Sequence, residues 1–282
     1  MQRNILSAPE TTYMSDLPAI GLGTWQNTDS KVCSNSVATA LNVGYRHIDT
    51  AQYYGNEEAV GEGIAQGDVP RDEVVVASKI HPEKSGLGYD EVLQGLEVSL
   101  DRLGLEYIDI LYVHWPLGNY DAAETMRAFD ELRDRGLIKH VGVSNFSVDL
   151  IEESRNHLDS PLFAHQAEMH PLFPQDELVA HAQEYDYNFV AYSPLARGNV
   201  FDIPEIKDIA DDRGVSAAQV SLAWIHSRDN VAAVPKASSE EHIRDNLAAI
   251  DLELSEEEID WIDNIDQRER YVEREGAPWL EE

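Results

Sequence analysis

Short apolar runs alternate with longer amphipathic segments along most of the chain. Eight runs rich in β-branched or apolar residues predict strands: PAIGLGT, RHIDT, VVVASKI, IDILYVH, IKHVGVS, FAHQAEM, NFVAYSP and VAAVPKA. Each run is followed by a segment with helical spacing. In the third of these segments the apolar stripe consists of Val92, Leu93, Leu96, Leu100 and Leu103. The pattern predicts eight strand–helix units.

Alternation of this kind implies parallel strands joined by helical crossovers. No linker or change of composition interrupts residues 1–282. The sequence therefore favours a single domain over this whole range, an α/β fold of the (β/α)8 TIM-barrel type, rather than an open doubly wound sheet.

Helix ends and one extra helix are also predicted. Asn56 before EEAV and Ser216 before AAQV are expected N-caps of their helices. The acidic segment SEEEIDWIDNID, which carries isoleucines at helical spacing, predicts an accessory helix that is followed by a C-terminal tail.

Two glycine-containing stretches were compared with the dinucleotide fingerprint of Rossmann folds. GLGTWQ from Gly21 and GEGIAQ from Gly61 both end in glutamine where the third glycine should stand. The second stretch also lies inside a helical pattern. A Rossmann-type dinucleotide site is therefore disfavoured.

Composition adds a strong acidic bias. Asp and Glu number 53 against 21 Lys and Arg, a formal net charge of −32. Such a surface repels itself at ordinary ionic strength, whereas multimolar salt screens it within about 3 Å. We therefore interpret the chain as the cytoplasmic protein of a halophile, with an acidic mesophilic protein as the alternative. The same charge disfavours nucleic acid as a partner.

Other features argue against further classes of site. A single cysteine, Cys33, leaves neither a disulfide framework nor a cysteine metal site. His165 and His170 flank QAEM without an apparent third ligand, so no metal is expected. No apolar run reaches ~18 residues and the N-terminus lacks a signal-peptide core, so neither a membrane partner nor secretion is expected.

Polar or aromatic residues stand at the carboxyl end of nearly every predicted strand. In chain order they are Gly23, Thr24 and Trp25, then Asp49, Lys79, His114, Ser144, Asn145, Gln166, Glu168, Tyr192, Ser193 and Lys236. In a (β/α)8 barrel these ends meet on one face and form the active site.

The residue types at this face suggest proton transfer. A lysine as deep as Lys79 must reach water or pair with an acid, and Asp49 ends the neighbouring strand. A lysine beside a phenol is expected to lower the tyrosine pKa, and Tyr53 and Tyr54 are both candidates. The alternatives are that His114 is a core histidine and that either tyrosine packs on the rim. An Asp, Lys, Tyr and His set suits protonation of a carbonyl oxygen during reduction.

Several motifs resemble the aldo-keto reductase family over almost the whole chain. GYRHIDTAQYYGNE is similar to the family's first signature, and VVVASKI, LYVHWP, VGVSNF, AHQAEMHP, AYSPL and VPKASSEEHIRDN match later motifs in order. The short loops resemble the prokaryotic branch. The resemblance implies a catalytic tetrad of Asp49, Tyr54, Lys79 and His114. Tyr54 would be the proton donor, since it lies five residues after the aspartate and directly before GNE.

The resemblance also implies an activity and its contacts. The activity is NAD(P)H-dependent reduction of aldehydes or ketones to alcohols, usually by a monomer. The implied cofactor contacts are Gly23, Thr24, Trp25, Asp49, Ser144, Asn145, Gln166, Tyr192, Ser193, Pro194, Leu195, Lys236, Ser238, His242, Asp245 and Asn246. The implied substrate contacts are Trp25, Tyr54, His114 and Trp115.

Two departures from the family pattern affect the expected cofactor. Ala237 stands where the family usually has serine, and His242 where it usually has arginine. A mostly neutral imidazole holds a 2′-phosphate less well than a guanidinium. NADPH is the expected cofactor, with NADH as the alternative.

Two other functions stay open. One is an NAD-linked polyol or sugar dehydrogenase that uses the same site. The other is a cofactor-binding regulatory barrel with little turnover, against which the intact tetrad argues. The tail GAPWLEE could bring Trp279 near the substrate or serve only in packing.

We expect the folded protein to lose structure on dilution from multimolar KCl into about 10 mM buffer, where the Debye length rises to ~30 Å. The acidic surface is then no longer screened. Circular dichroism and thermal melts over a KCl series measure this loss. Full stability in the dilute buffer would contradict the halophilic interpretation.

Overall fold

Residues 17–280 are described by a computed structural model, and they contain a parallel eight-stranded barrel. The strands are β1 (Leu22–Gly23), β2 (His47–Asp49), β3 (Val75–Ile80), β4 (Ile108–Val113), β5 (Ile138–Ser144), β6 (Leu162–Glu168), β7 (Asn188–Tyr192) and β8 (Val231–Ala233). Each strand pairs with the next in chain order. Parallel bridges join Ile20 to Ala233 and Gly23 to Lys236, which brings the first and last strands together. The (β/α)8 prediction is confirmed.

The helices follow the predicted alternation with one addition. In this range they are α1 (Ser30–Val43), α2 (Glu57–Gln66), α3 (Tyr89–Leu103), α4 (Ala122–Asp134), α5 (Val148–His157), α6 (Asp176–Glu184), α7 (Pro204–Arg213), α8 (Ala217–His226), α9 (Glu240–Leu247) and α10 (Glu256–Asp263). The accessory helix is α10. The unpredicted helix is α7, which buries only Ile206, Ile209 and Ala210 and so gives a weak periodic signal. None of the helices described is long and apolar enough to cross a membrane.

The core has two layers, as the alternation of side chains along each strand requires. The larger layer lies between strands and helices and contains Val76 and Leu111. Cys33 is buried in it, where burial raises the pKa of the thiol to about 11. The smaller layer consists of Ala77, Ile110, Tyr112, Phe163, Ala164, Val190 and Val234. It fills the barrel interior and forms a floor below the strand ends.

The two predicted N-caps have different outcomes. The Ser216 hydroxyl accepts from the Gln219 amide at 3.0 Å, so this cap is confirmed. Asn56 precedes α2, but its side chain makes no cap bond. Its Nδ2 donates instead to the carbonyl oxygen of Thr24 at 2.8 Å, and its Oδ1 accepts from the Thr50 hydroxyl at 3.1 Å. Asn56 thus occupies the predicted N-cap position, but the expected side-chain cap bond is not made, because this buried amide ties together the loops that follow β1 and β2.

Glycines in α2 allow a close approach between helices. A Cβ added at Gly61 would overlap the carbonyl oxygen of Leu103, the last residue of α3. A Cβ added at Gly63 would lie 2.6 Å from the carbonyl oxygen of Ser34 in α1. The GEGIAQ stretch is thus a helix-packing motif, which agrees with the rejection of a Rossmann site.

Gly61→Ala is expected to destabilise the protein by about 1–3 kcal/mol, because the new methyl group must push α2 away from rigid backbone. Alanine is itself favoured in helices by about 1 kcal/mol over glycine, so any loss is a packing effect. Thermal unfolding in molar KCl measures the change. Glu62→Ala, on the exposed side of the same helix, is the control. A Gly61→Ala protein as stable as the wild type would refute the close approach.

Candidate active site

A cavity of about 630 Å³ opens at the carboxyl ends of the strands. Most of the predicted site residues line it, namely Gly23, Trp25, Asp49, Tyr54, His114, Trp115, Ser144, Asn145, Gln166, Tyr192, Ser193, Pro194 and Lys236. Residues separated by more than 200 positions in the sequence therefore share one wall. The barrel brings them together because consecutive parallel strands all end on this face.

A buried ion pair lies at the base of the cavity. Lys79 Nζ donates to Asp49 Oδ1 at 2.6 Å, and both side chains are at most 2% exposed. The same ammonium donates to the Thr50 carbonyl oxygen at 2.8 Å and to Tyr54 Oη at 3.4 Å. Gln166 Nε2 donates to the second carboxylate oxygen of Asp49 at 2.8 Å. Every charged atom of the pair thus has a partner, as burial of charge requires.

Tyr54 and Tyr53 have different surroundings although they are adjacent. Tyr54 ends the short 3-10 turn Gln52–Tyr54 after β2, and its hydroxyl reaches Lys79. Tyr53 is 44% exposed and stacks on the ring of His81 with centroids 4.3 Å apart. The geometry therefore distinguishes Tyr54 as the phenol that lies beside the ion pair.

The pKa of Tyr54 departs from the sequence-based expectation. Burial raises it well above its ordinary value of 10.0, and the negative charge of Asp49 raises it further. The lowered pKa expected for a phenol beside a lysine is therefore not found, because burial and the charge of Asp49 set the net direction. Tyr54 is consequently a protonated phenol at neutral pH, which is the form that a proton donor needs.

His114, which lies beside Tyr54, is a neutral imidazole. Burial lowers its pKa well below 6.5, and Lys79, His81 and Arg274 lower it further by their positive charge. Its ring meets that of Tyr54 edge-on, with centroids 5.7 Å apart. Its Nδ1 has no hydrogen-bond partner in the described residues. The imidazole can therefore carry its proton on Nε2 and donate a hydrogen bond from there.

The ends of β5 and β7 form a polar wall beside these groups. Asn145 has a left-handed backbone conformation (φ 65°), and its Nδ2 donates to the His114 carbonyl oxygen at 2.9 Å. The Tyr192 hydroxyl donates to Asn145 Oδ1 at 2.7 Å, which fixes the tilt of the Tyr192 ring. Ser144 Oγ accepts a further bond from the same amide at 3.0 Å. The wall presents a fixed aromatic ring and oriented amide groups to the cavity.

Other predicted contacts do not line the cavity: Thr24, Lys79, Leu195, Ser238, His242, Asp245 and Asn246. Thr24 is fully buried, and its hydroxyl donates to the main-chain oxygen of Asp49 at 3.0 Å. The Asp245 carboxylate accepts from Ser216 and Gln219 at 2.7 Å each, which links α8 to α9. Thr24 and Asp245 thus have protein partners that the sequence did not indicate.

The exposed members of that group lie around the start of α9. Ser238 and His242 are exposed, as is the cavity residue Lys236. Ser239 caps α9 by accepting from the main-chain amide of His242 at 3.3 Å. This surface is contiguous in sequence with the cavity rim at Lys236 and is open to solvent.

The C-terminal strap (residues 267–280) supplies cavity residues that sequence reasoning missed. Val272, Glu273, Arg274 and Glu275 line the outer wall. Trp279 packs against Trp115 with ring centroids 5.6 Å apart, so the tail lies over the cavity rim. The strap is rich in charged residues, and its only sequence signals were Tyr271, Val272 and the segment APWL, which left open whether Trp279 lies near the substrate or serves only in packing.

Two more residues of this cavity, Arg197 and Glu83, were not predicted from the sequence.

Among residues 17–280 no group of three or more His, Cys, Asp or Glu side chains could hold a metal ion.

Comparison with known proteins agrees with this geometry. Residues 19–267 match the aldo/keto reductase family. The glyoxal reductase of Bacillus subtilis (strain 168) is 37% identical over 255 residues, which cover 90% of this chain and 91% of that protein. The aldose reductase from Schistosoma japonicum superposes with a TM-score of 0.85 at 30% identity, over 91% of each chain. Bombyx mori aldo-keto reductase in complex with NADP gives a TM-score of 0.84 at 31% identity, over 91% of this chain and 92% of that chain. The chain belongs to the aldo/keto reductase family.

Proposed function

We propose that the protein reduces small aldehydes to alcohols with NADPH, and that Asp49, Tyr54, Lys79 and His114 carry the proton chemistry. Nicotinamide-dependent carbonyl reduction follows from membership of the family; the residues, the preferred nucleotide and the substrate class are the proposal. One observation carries it. A single buried ammonium, Lys79 Nζ, contacts both Asp49 and the Tyr54 hydroxyl at the base of an open cavity.

The residues around the cavity fit a nicotinamide nucleotide. The fixed ring of Tyr192 offers a stacking face, and the side chains of Ser144 and Asn145 offer donors and acceptors for a carboxamide. Arg197 and Lys236 place two cations on the lining of a chain that is otherwise strongly acidic. These cations suit a pyrophosphate. When bound, the nicotinamide supplies the hydride, and the protein supplies its orientation.

Proton transfer is assigned to Tyr54. Its hydroxyl donates the proton to the substrate oxygen as the carbonyl is reduced. Lys79 donates a hydrogen bond to the Tyr54 hydroxyl oxygen, and this bond strengthens as negative charge develops on the phenolate. Asp49 keeps Lys79 charged and oriented. The Lys79 interaction is therefore worth more in the transition state than in the ground state, which is the condition for catalysis.

His114 is assigned to orientation of the substrate. As a neutral imidazole with its proton on Nε2, it donates a hydrogen bond to the carbonyl oxygen. A protonated imidazole would compete with Tyr54 as the acid, and the low pKa of His114 prevents this. Tyr54 and His114 thus hold one substrate oxygen between two donors.

The cavity walls suit small aldehydes of varied structure, because they offer few directed contacts. Trp25, Tyr53 and Trp115 give aromatic surface to the cavity lining, to which Glu83 and residues of the strap also contribute. Aromatic walls bind by area rather than by directed bonds, so they select weakly among small substrates. A related protein bears the name glyoxal reductase, and we include small dicarbonyl compounds among the proposed substrates.

A halophilic setting is proposed from the net charge of −32, which suits an environment of high salt. A monomeric state is proposed from the family resemblance alone, because the surface charge is screened in high salt and would not keep two copies apart.

Tyr54→Phe is expected to fold and to bind NADPH like the wild type, because Phe keeps the ring and removes only the donor. The rate constant kcat for a simple aldehyde should fall by about 10²–10⁴-fold. Absorbance of the reduced nicotinamide in molar KCl measures turnover, and quenching of protein fluorescence measures NADPH binding. Tyr53→Phe is the control and should retain most activity. Turnover at the wild-type rate in Tyr54→Phe would remove this residue from the mechanism.

His242→Arg is expected to raise the ratio of kcat/KM with NADPH to kcat/KM with NADH by about tenfold or more. A charge-assisted bond to the 2′-phosphate is worth ~1.5–3 kcal/mol, and 1.4 kcal/mol is tenfold. The assay compares both nucleotides on one aldehyde at constant salt. His157→Arg, on an exposed turn of α5, adds the same charge elsewhere and should leave the ratio unchanged. An unchanged ratio in His242→Arg would place the 2′-phosphate away from this residue.

A further inference from the structure

The C-terminal strap crosses the carboxyl face of the barrel and is fixed at several points. The Glu269 amide donates to the Leu172 carbonyl oxygen at 2.9 Å. The Arg270 guanidinium lies over two rings, 4.5 Å from that of Phe173 and 3.8 Å from that of Trp279. These contacts place the strap beside the loop that follows β6. The next residues of the strap then turn into the cavity lining.

A carboxylate at the end of β6 holds the middle of the strap. Glu168 Oε1 accepts from the main-chain amide of Tyr271 at 2.8 Å, and Oε2 accepts from the amide of Val272 at 2.9 Å. His170 Nε2 contacts Oε1 at 3.1 Å. One side chain thus binds two consecutive backbone amides that are 103 and 104 residues away in the sequence.

Glu168 is well placed to act as a rigid anchor. It is only 2% exposed, and its own carbonyl oxygen accepts from Gln175 Nε2 at 2.9 Å. A buried carboxylate needs hydrogen bonds to offset its desolvation. Burial raises the pKa of Glu168, but the bonds from His170 and the two strap amides prevail, so that the pKa is lower than its ordinary value of 4.5. Release of the strap would leave this charge poorly solvated.

A second side-chain attachment of the strap, made by Arg274, is weaker because its partner is exposed. Arg274 pairs with Glu83 and also contacts His81 Nε2 at 3.1 Å. The Glu83 side chain is 64% exposed, and exposed ion pairs contribute little once salt screens them. In high salt the buried Glu168 contacts therefore persist, together with the main-chain bond from Glu269 to Leu172.

The anchored amides adjoin the substrate side of the cavity. Val272 itself lines the cavity, and two residues later Arg274 lies over the rings of Tyr53 and Trp115 at 5.7 Å and 5.4 Å. Glu168 is not among the described residues that line this cavity. Glu168 therefore reaches the substrate side of the cavity through the strap. Its other link to the lining is Tyr192, its partner in the strand register, and the Kd for NADPH reports any effect by that route.

We propose that Glu168 is a positioning residue that fixes the C-terminal strap and thereby sets the outer wall of the substrate cavity. It confers a preference for aldehydes large enough to reach the strap over aldehydes that fill only the base of the cavity. The specificity part rests on the proposed function; the structural part, a buried carboxylate that protects two strap amides, stands independently of it.

The test compares Glu168→Gln with the wild type. Glutamine has the same shape, but its amide group cannot accept from both Tyr271 and Val272 while one of its ends is a donor. Amide hydrogen exchange of strap peptides should accelerate about tenfold or more in this variant. The KM for 4-nitrobenzaldehyde should rise about threefold to tenfold, since the substrate must now order its own wall. The kcat and KM for acetaldehyde and the Kd for NADPH should not change.

Two variants act as controls. Glu269→Gln removes an exposed carboxylate from the strap itself, whose hydrogen bonds within residues 17–280 are to Gln267 and the Tyr271 hydroxyl, and it should behave like the wild type. Glu168→Asp keeps the charge and both acceptor oxygens, so it should lie between the wild type and Glu168→Gln in exchange and in the KM for 4-nitrobenzaldehyde.

The outcomes separate the two proposals. If no aldehyde is reduced by the wild type, the proposed function fails, while hydrogen exchange still tests the anchor. Strap amides that exchange as fast in the wild type as in an unstructured peptide would refute the anchor even if Glu168→Gln failed to fold. Faster exchange in Glu168→Gln with an unchanged KM for 4-nitrobenzaldehyde would refute its role in specificity.

Discussion

The buried ion pair of Lys79 and Asp49 is the interaction on which the site depends. Removing two charges from water costs several kcal/mol for each ion, and the pair offsets this only with good geometry and additional bonds. The protein supplies these bonds through Gln166 and the main chain of Thr50. Loss of one partner from such a pair typically costs about 3–5 kcal/mol. The pair is therefore both a structural link between strands and the source of the charge that acts on Tyr54.

The register of the barrel sets the geometry of this pair. Gly23 pairs with Asp49, and Asp49 pairs with Ala77, so the aspartate lies level with the residue two positions before Lys79 on β3. A shift by one residue would turn each of these side chains to the opposite face of its strand. The interior layer below, built around Tyr112 and Phe163, prevents such a shift because it fills the barrel. Packing in the barrel thus fixes the distance between Lys79 Nζ and Asp49 Oδ1.

Much of the fold and the centre of the site could be predicted, since both depend on local patterns. Each strand or helix is recognisable from the spacing of apolar residues within its own segment. The spacing from Asp49 to Tyr54 lies within one family motif, GYRHIDTAQYYGNE. The errors concern quantities that only the tertiary structure determines. The sign of the Tyr54 pKa shift is set by burial and by the charge of Asp49. Asn56 resembles a cap in sequence, but its amide serves Thr24, 32 residues earlier.

The sequence raised the possibility that the tail brings Trp279 near the substrate, but it could not show how the strap is held, because Glu168 accepts from amides more than 100 residues away and backbone amides carry no sequence signal. Buried and exposed charges in the molecule also respond differently to salt. The Lys79–Asp49 pair and the Glu168 contacts are buried, so salt screens them weakly. The surface acids and the exposed region near His242, where we propose that the nucleotide binds, are screened strongly. High salt can therefore protect the fold and reduce the proposed discrimination between nucleotides, while it leaves the proposed proton donor, Tyr54, and the outer wall of the cavity unchanged.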